Sequence, residues 1–318
     1  MKNRVINFLP ILVSILIILQ YVFVPNFRNF TALDRNAPTN VFVWFMGFFV
    51  LIFTVWNIFA FFYKGANTSL LKRAPIITAA LILLLAYDIL TLTTGILPQP
   101  FVPWPDAILN AMIRDRVILA RSVLHSLTLL FTGYGIGVVA GIVTGIVAGW
   151  SVRVRYWVSP VIKLFGSIPP VTWFPIIIIL ASSLFSGAVI LIALAVWYPV
   201  TTTTMNGVLS IPKINFEAAS TFGVSHLGMI FKVALPASSP FIFQGLTQGM
   251  SIACTALLIA EMMGVEAGLG WYINWQRGWA EFAGMYAAVV IIAITFFTVN
   301  SALNLIKRRV LRWKDEVA

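Results

Sequence analysis

Six stretches of this chain contain no Asp, Glu, Lys or Arg: 5–27, 36–63, 122–152, 164–212, 233–260 and 282–306. A helix needs about 20 apolar residues to cross a bilayer, so each stretch can carry at least one crossing and 164–212 can carry two. Residues 74–97, interrupted only by Asp88, add another, for eight in all. Charged residues make up 10% of the 318 positions, against roughly 25% in a soluble domain. The expected fold is an all-α integral membrane protein with about eight transmembrane helices.

The formal charge of +11 comes from bases in the loops, which speaks for membrane topology and not for nucleic acid. With a cytoplasmic N-terminus, eight spans leave 15 Lys and Arg inside, including Lys72, Arg73, Arg153, Arg155, Lys213, Arg308 and Lys314. Six fall outside: Arg28, Arg35, Arg114, Arg116, Arg121 and Arg277. The positive-inside bias then puts both termini in the cytoplasm of a multi-pass cell-membrane protein. Lys2 and Arg4 precede the first apolar run, but that run is too long for a signal-peptide core and no cleavage site follows, so 8–24 reads as a retained span. Cys254 is the sole cysteine, so no intrachain disulfide forms.

Composition divides the chain. Residues 1–74 form a two-span N-terminal extension, rich in Phe, Trp and Ile, with a polar cytoplasmic linker at 64–74. Residues 75–122 hold a scaffold span and an amphipathic segment, 107–122, suited to the outer interface. From 123 to 306, Gly, Pro, Ser and Thr enter the apolar spans, as in closely packed membrane cores. A basic cytoplasmic tail, 307–318, ends the chain. Gly133, Gly137, Gly141, Gly145 and Gly149 recur every four residues and form one helical stripe, for packing within the chain or against a second subunit. Gly135-Ile136-Gly137-Val138-Val139-Ala140 matches a dinucleotide fingerprint but lies within a span and follows no strand, so it is set aside.

The loop 210–235 is the main polar interruption of the core. Pro212 ends a span, Asn215 is placed to cap a new helix, and Glu217 falls in its first turn. Gly223 stops that helix, a second segment covers 225–234, and Pro236 opens the next span. Such a helix either packs on its own protein or docks on another. Gln244, Gln248, Ser251 and Thr255 share one face of the following span, fit for a translocation path or for interhelical hydrogen bonds. Thr201 to Thr204 and Asn206 form a second polar cluster. Asp88 stands alone in its span, and Glu261 suits a hydrogen-bonding role. His125 and His226 lack metal-ligand spacing, and no metal site is expected. No Gly-Lys dipeptide occurs, so the chain has no P-loop and is not expected to hydrolyse ATP.

Glu217-Ala218-Ala219, Gly223 three residues later, then Val233 and Leu235-Pro236 follow the pattern E-A-A-x3-G-x9-I-x-L-P with Val for Ile. In this the chain resembles the permease subunits of binding-protein-dependent ABC importers of the type I fold. The segments 167–175, Ala260-Glu261-Met262-Met263-Gly264 and Gly268-Leu269-Gly270-Trp271 are similar to the nitrate, sulfonate and taurine branch. The resemblance covers about residues 75–314 and leaves two spans beyond the branch's six. It implies a type I permease core in which the motif residues dock on a separate ATPase subunit that binds ATP and Mg. It also implies an extracytoplasmic solute-binding protein, a second permease chain in a homodimer, and no cofactor on this chain. The rival expectation is a self-contained, ion-coupled secondary transporter, for which Asp88 is the only intramembrane charge on offer.

Overall fold

The computed structural model describes residues 2–27 and 37–312, and every regular element among them is helical. Arg28, Arg35, Lys314 and the end of the basic tail, 313–318, lie outside the described residues. The chain divides into two compact units, residues 1–116 with 276–289 and residues 117–275 with 290–318. This grouping differs from the sequence boundaries at 74 and 122, because contacts join the N-terminal spans to the next span and to α4 below.

In the first unit α1 (Lys2–Phe23), α2 (Val41–Phe62) and α3 (Lys64–Asp88) enclose Val13, Ile17, Phe42, Met46 and Leu81. Trp44 and Phe62 stay exposed at 78% and 74%, as suits surface in contact with lipid. Polar ties secure both ends. Asn7 donates to Asn67 Oδ1 at 2.8 Å, and Asn57 donates to the Asn7 carbonyl at 3.0 Å. At the other end Asp106, in α4 (Pro105–Arg114), accepts from the backbone N–H of Phe42 at 2.9 Å and of Thr39 at 2.6 Å. It thus caps α2 from a distance, where the helix's positive end favours a carboxylate. The N-cap residue itself, Asn40, makes no side-chain cap.

The amphipathic segment 107–122 is not one helix. It breaks at Asp115, which leaves helical geometry at ψ 17°, and its second half begins α5 (Arg116–Trp150). After α5 come α6 (Val152–Ser167), a 3₁₀ turn at Pro170–Trp173, α7 (Phe174–Leu180) and α8 (Leu184–Leu209). The short α9 (Lys213–Thr221) and α10 (His226–Met229) precede α11 (Leu235–Met263), α12 (Leu269–Gly278) and α13 (Phe282–Val310).

Seven helices among the described residues are long and apolar enough to span a membrane. The eighth crossing is no straight helix. The block 164–212 was read as two spans, but Pro169 and Pro170 supply no N–H and the chain turns by 97° between α6 and α7.

The glycine stripe of α5 shows why that bent pair must cross. A methyl group on Gly133 would stand 2.7 Å from Ile192 Cβ, on Gly137 2.8 Å from Val196 Cβ, and on Gly141 2.7 Å from Val200 Cβ. Gly145 meets Thr204 Cβ at 2.6 Å and Gly149 meets Val208 Cβ at 2.7 Å in the same sense. Both helices advance together, so α5 and α8 run parallel. The chain between them has to return across the bilayer, and residues 152–180 make that crossing. On its other side α8 meets α11 as closely, with Gly207 facing Phe241 Cβ at 2.7 Å. The core between them holds Leu129, Leu191, Val196, Met250 and Leu257.

Candidate functional site

The loop between α8 and α11 begins earlier than its sequence suggests. Pro212 sits at the N-cap with φ −59°, and α9 starts directly after it, so Asn215 lies within the helix and caps nothing. Glu217 is therefore past the first turn. Glu217 and Ala218 are exposed and Ala219 is half-buried. Phe216 turns inward instead and meets Trp150, at the end of α5, edge-on at 5.5 Å. Gly223, with φ +73°, ends the helix in the left-handed region that side chains avoid.

The exposed side of the loop is apolar as well as polar. Phe222 is 87% exposed, Leu227 70% and Ile214 67%. Sequence reasoning missed these three, although apolar residues clustered in a polar loop were the available signal. Ser225 caps α10 by accepting from Gly228 N–H at 3.2 Å. The span then begins at His226, and Pro236 does not open it. Ile230–Ala234 form a π turn, whose wider spacing absorbs the N–H that Pro236 lacks. Leu235 is half-buried there and Pro236 is exposed.

Gln244, Gln248, Ser251 and Thr255 are all exposed along one face of α11, while Ile242, Gly245, Gly249 and Ala253 are buried on the other. The hydroxyls donate back to helix carbonyls, Ser251 to Thr247 and Thr255 to Ser251, both at 3.3 Å. The two glutamine amides have no such local route. Left against hydrocarbon, each unpaired amide would cost several kcal/mol. Thr201 and Thr204 are buried, and Thr201 meets Thr144 of α5 at 2.9 Å, so that cluster faces its own protein. Cys254 lies on the buried side at 5% exposure.

Near the far end of α11, three segments that were separate in the sequence meet. Glu261 is 1% exposed. Its Oε1 accepts from Ser126 Oγ at 2.6 Å, and its Oε2 accepts from Gly270 N–H at 2.8 Å. Ser126 Oγ in turn accepts from Leu269 N–H at 2.9 Å. A carboxylate thus satisfies the first N–H groups of α12 and ties α5, α11 and α12 together. Gly268 (φ +122°) leaves the room: a methyl group there would overlap the Glu261 carboxyl. Asn274 adds a bond from Nδ2 to the Met262 carbonyl at 3.2 Å.

Comparison with known proteins agrees with this geometry. Residues 137–314 match the family described as binding-protein-dependent transport system inner membrane component. The taurine transport system permease protein TauC of Escherichia coli (strain K12) is 27% identical over 247 residues, covering 76% of this chain and 89% of that protein. The nitrate import permease protein NrtB of Leptolyngbya laminosa is 27% identical over 186 residues, 58% of this chain and 67% of its own length. Among solved structures, a chain of the MetNI methionine ABC transporter in an inward-facing conformation aligns with a TM-score of 0.54 at 21% identity. That alignment covers 62% of this chain and 98% of that one, a likeness of fold.

Proposed function

Since this chain belongs to the family of binding-protein-dependent transport system inner membrane components and is a permease subunit of an ABC importer, we propose that it passes a small solute of the sulfonate, taurine or nitrate kind into the cytoplasm. The observation that carries this reading is α9, a nine-residue helix held between two spans with Glu217, Ala218 and Phe222 turned outward. An exposed apolar residue beside a carboxylate suits a groove on another protein. That protein is an ATPase subunit, which binds the ATP and Mg that this chain has no P-loop to hold. Glu217, Ala218, Ala219 and Gly223 form the docking helix, and Leu235 and Pro236 join it to α11. A soluble binding protein delivers solute from the other side, and both termini lie in the cytoplasm. Taurine and nitrate are named for the relatives, and they set the solutes to try first.

The exposed polar face of α11 argues for a second permease chain. Two such faces, brought together, give Gln244, Gln248, Ser251 and Thr255 a water-lined path in place of lipid. In a Cys254→Ala background, Ser251→Cys is expected to form a dimer with a short thiol cross-linker. Val139→Cys, on an exposed face of α5, should form several-fold less. Equal yields at both positions would remove α11 from the interface.

The reading as a whole is tested by reconstituting the chain with its ATPase and binding protein in proteoliposomes. Uptake of labelled taurine or nitrate should require ATP and the binding protein together. Uptake driven by an ion gradient alone would assign the chain to self-contained secondary transport instead.

A further inference from the structure

One ionisable group in the first unit has no part in docking or in a solute path. Asp88, the last residue of α3, is 0% exposed, and neither of its carboxyl oxygens has a hydrogen-bond partner. The unit's other fully buried acid behaves differently: Asp106 takes bonds from Thr39, Phe42 and Asn110. The stretches 5–27, 36–63 and 74–97 hold no Lys, Arg or His, so no cationic side chain from α1, α2 or α3 faces Asp88 within the membrane. Across from it on α1, Gln20 lies beside the Asp88 carboxyl. Gln20 gives its Nε2 to Thr93 Oγ1 at 2.7 Å, and its Oε1 is buried without a donor. Asp88 and Thr93 flank a π turn, Ile89–Thr93, whose five-residue spacing places both on one face.

Two elements thus present acceptor oxygens to one another, and the donor between them is missing. The nearby hydroxyls are committed elsewhere: Tyr21 donates to the Thr39 carbonyl at 2.8 Å, Tyr87 to the Pro103 carbonyl at 2.6 Å, and Thr91 to the Tyr87 carbonyl at 2.8 Å. A bare carboxylate here would be an unpaired charge taken out of water, and the carboxyl of Asp106 on α4 would oppose it further. A metal ion of the calcium or magnesium kind needs about six oxygen ligands, and Asp88 with Gln20 supplies half that number.

We propose that Asp88 is a resident proton-binding site, a neutral carboxylic acid that donates its O–H to Gln20 Oε1 and so clasps α1 to α3. The site is independent of the importer reading, because it concerns the N-terminal unit alone.

Infrared difference spectra of the full-length chain in lipid nanodiscs at neutral pH test this. The wild type should show a carboxylic-acid carbonyl band that Asp88→Asn lacks, and Gln20→Leu should shift that band without removing it. Asp88→Asn keeps a donor for Gln20 and should unfold at the wild-type temperature. An acid region unchanged by Asp88→Asn would show an ionised Asp88 and overturn the proposal. Stabilisation of the wild type but not of Asp88→Asn by added sodium or potassium would overturn it in favour of a cation site. If Asp88→Asn does not fold, an acid band left unshifted by Gln20→Leu overturns it equally.

Discussion

Exchanging Phe222 for Glu is expected to cut ATP-driven uptake at least about tenfold while leaving the unfolding temperature of the chain unchanged. At 87% exposure the ring contributes little to its own fold, so its removal exposes no cavity. An aromatic anchor in a protein interface is often worth about 2 kcal/mol or more, and 1.4 kcal/mol is already a factor of ten in affinity. Glutamate at that point would also bring a desolvated charge into the groove. The measurement is uptake in proteoliposomes alongside co-purification of the ATPase, with thermal unfolding as the control. Glu217→Lys should act in the same direction by reversing the charge beside Phe222. Full uptake by both variants would show that α9 is a connector, and the docking role would fall.

The second large effect is on stability. Gly268→Ala should destabilise the chain by about 3 kcal/mol or more. A side chain at φ +122° carries strain of roughly 1–3 kcal/mol. The added methyl group also displaces the Glu261 carboxyl, and each buried donor left unpaired costs about 1–3 kcal/mol more. Ser126 Oγ and Gly270 N–H are the donors at risk. Ser126→Ala, which removes the bridging hydroxyl with almost no change in volume, should cost less than Gly268→Ala. Thermal unfolding in nanodiscs checks both. A Gly268→Ala chain with the wild-type midpoint would show that the clamp contributes nothing.

The elements that sequence made legible are those set by short-range chemistry. The absence of charge over 5–27 or 282–306 leaves a chain in lipid no choice but a helix, and Gly223 marks a helix stop wherever it stands. Asn215 misled because its cap propensity is a local preference. Pro212, with φ already set for a helix start, lies three residues ahead of it, and the helix begins there. The Glu261 clamp was hidden for another reason. Its parts at 126, 261 and 268–270 belong to three elements, and nothing in one sequence joins them before the helices pack. The partner of the glycine stripe was in view: Ile192, Val196, Val200, Thr204 and Val208 repeat the same four-residue step on α8. Two matching periods in separate spans imply contact, and their common sense of advance implies parallel helices. The break between α6 and α7 turns on Pro169 and Pro170, whose effect on direction needs the geometry of both flanking helices.

That matched repeat behaves as a rack with five teeth. To slip, α5 would have to travel a whole step of four residues, about 6 Å along the axis, and any smaller movement drives a branched carbon into backbone. The two helices therefore translate as a single bar. Because Phe216 of α9 rests on Trp150 at the end of that bar, a push on α9 arrives at the opposite membrane face undiminished, and the yielding joints must lie elsewhere, at the proline bend between α6 and α7 and at the π turn before α11.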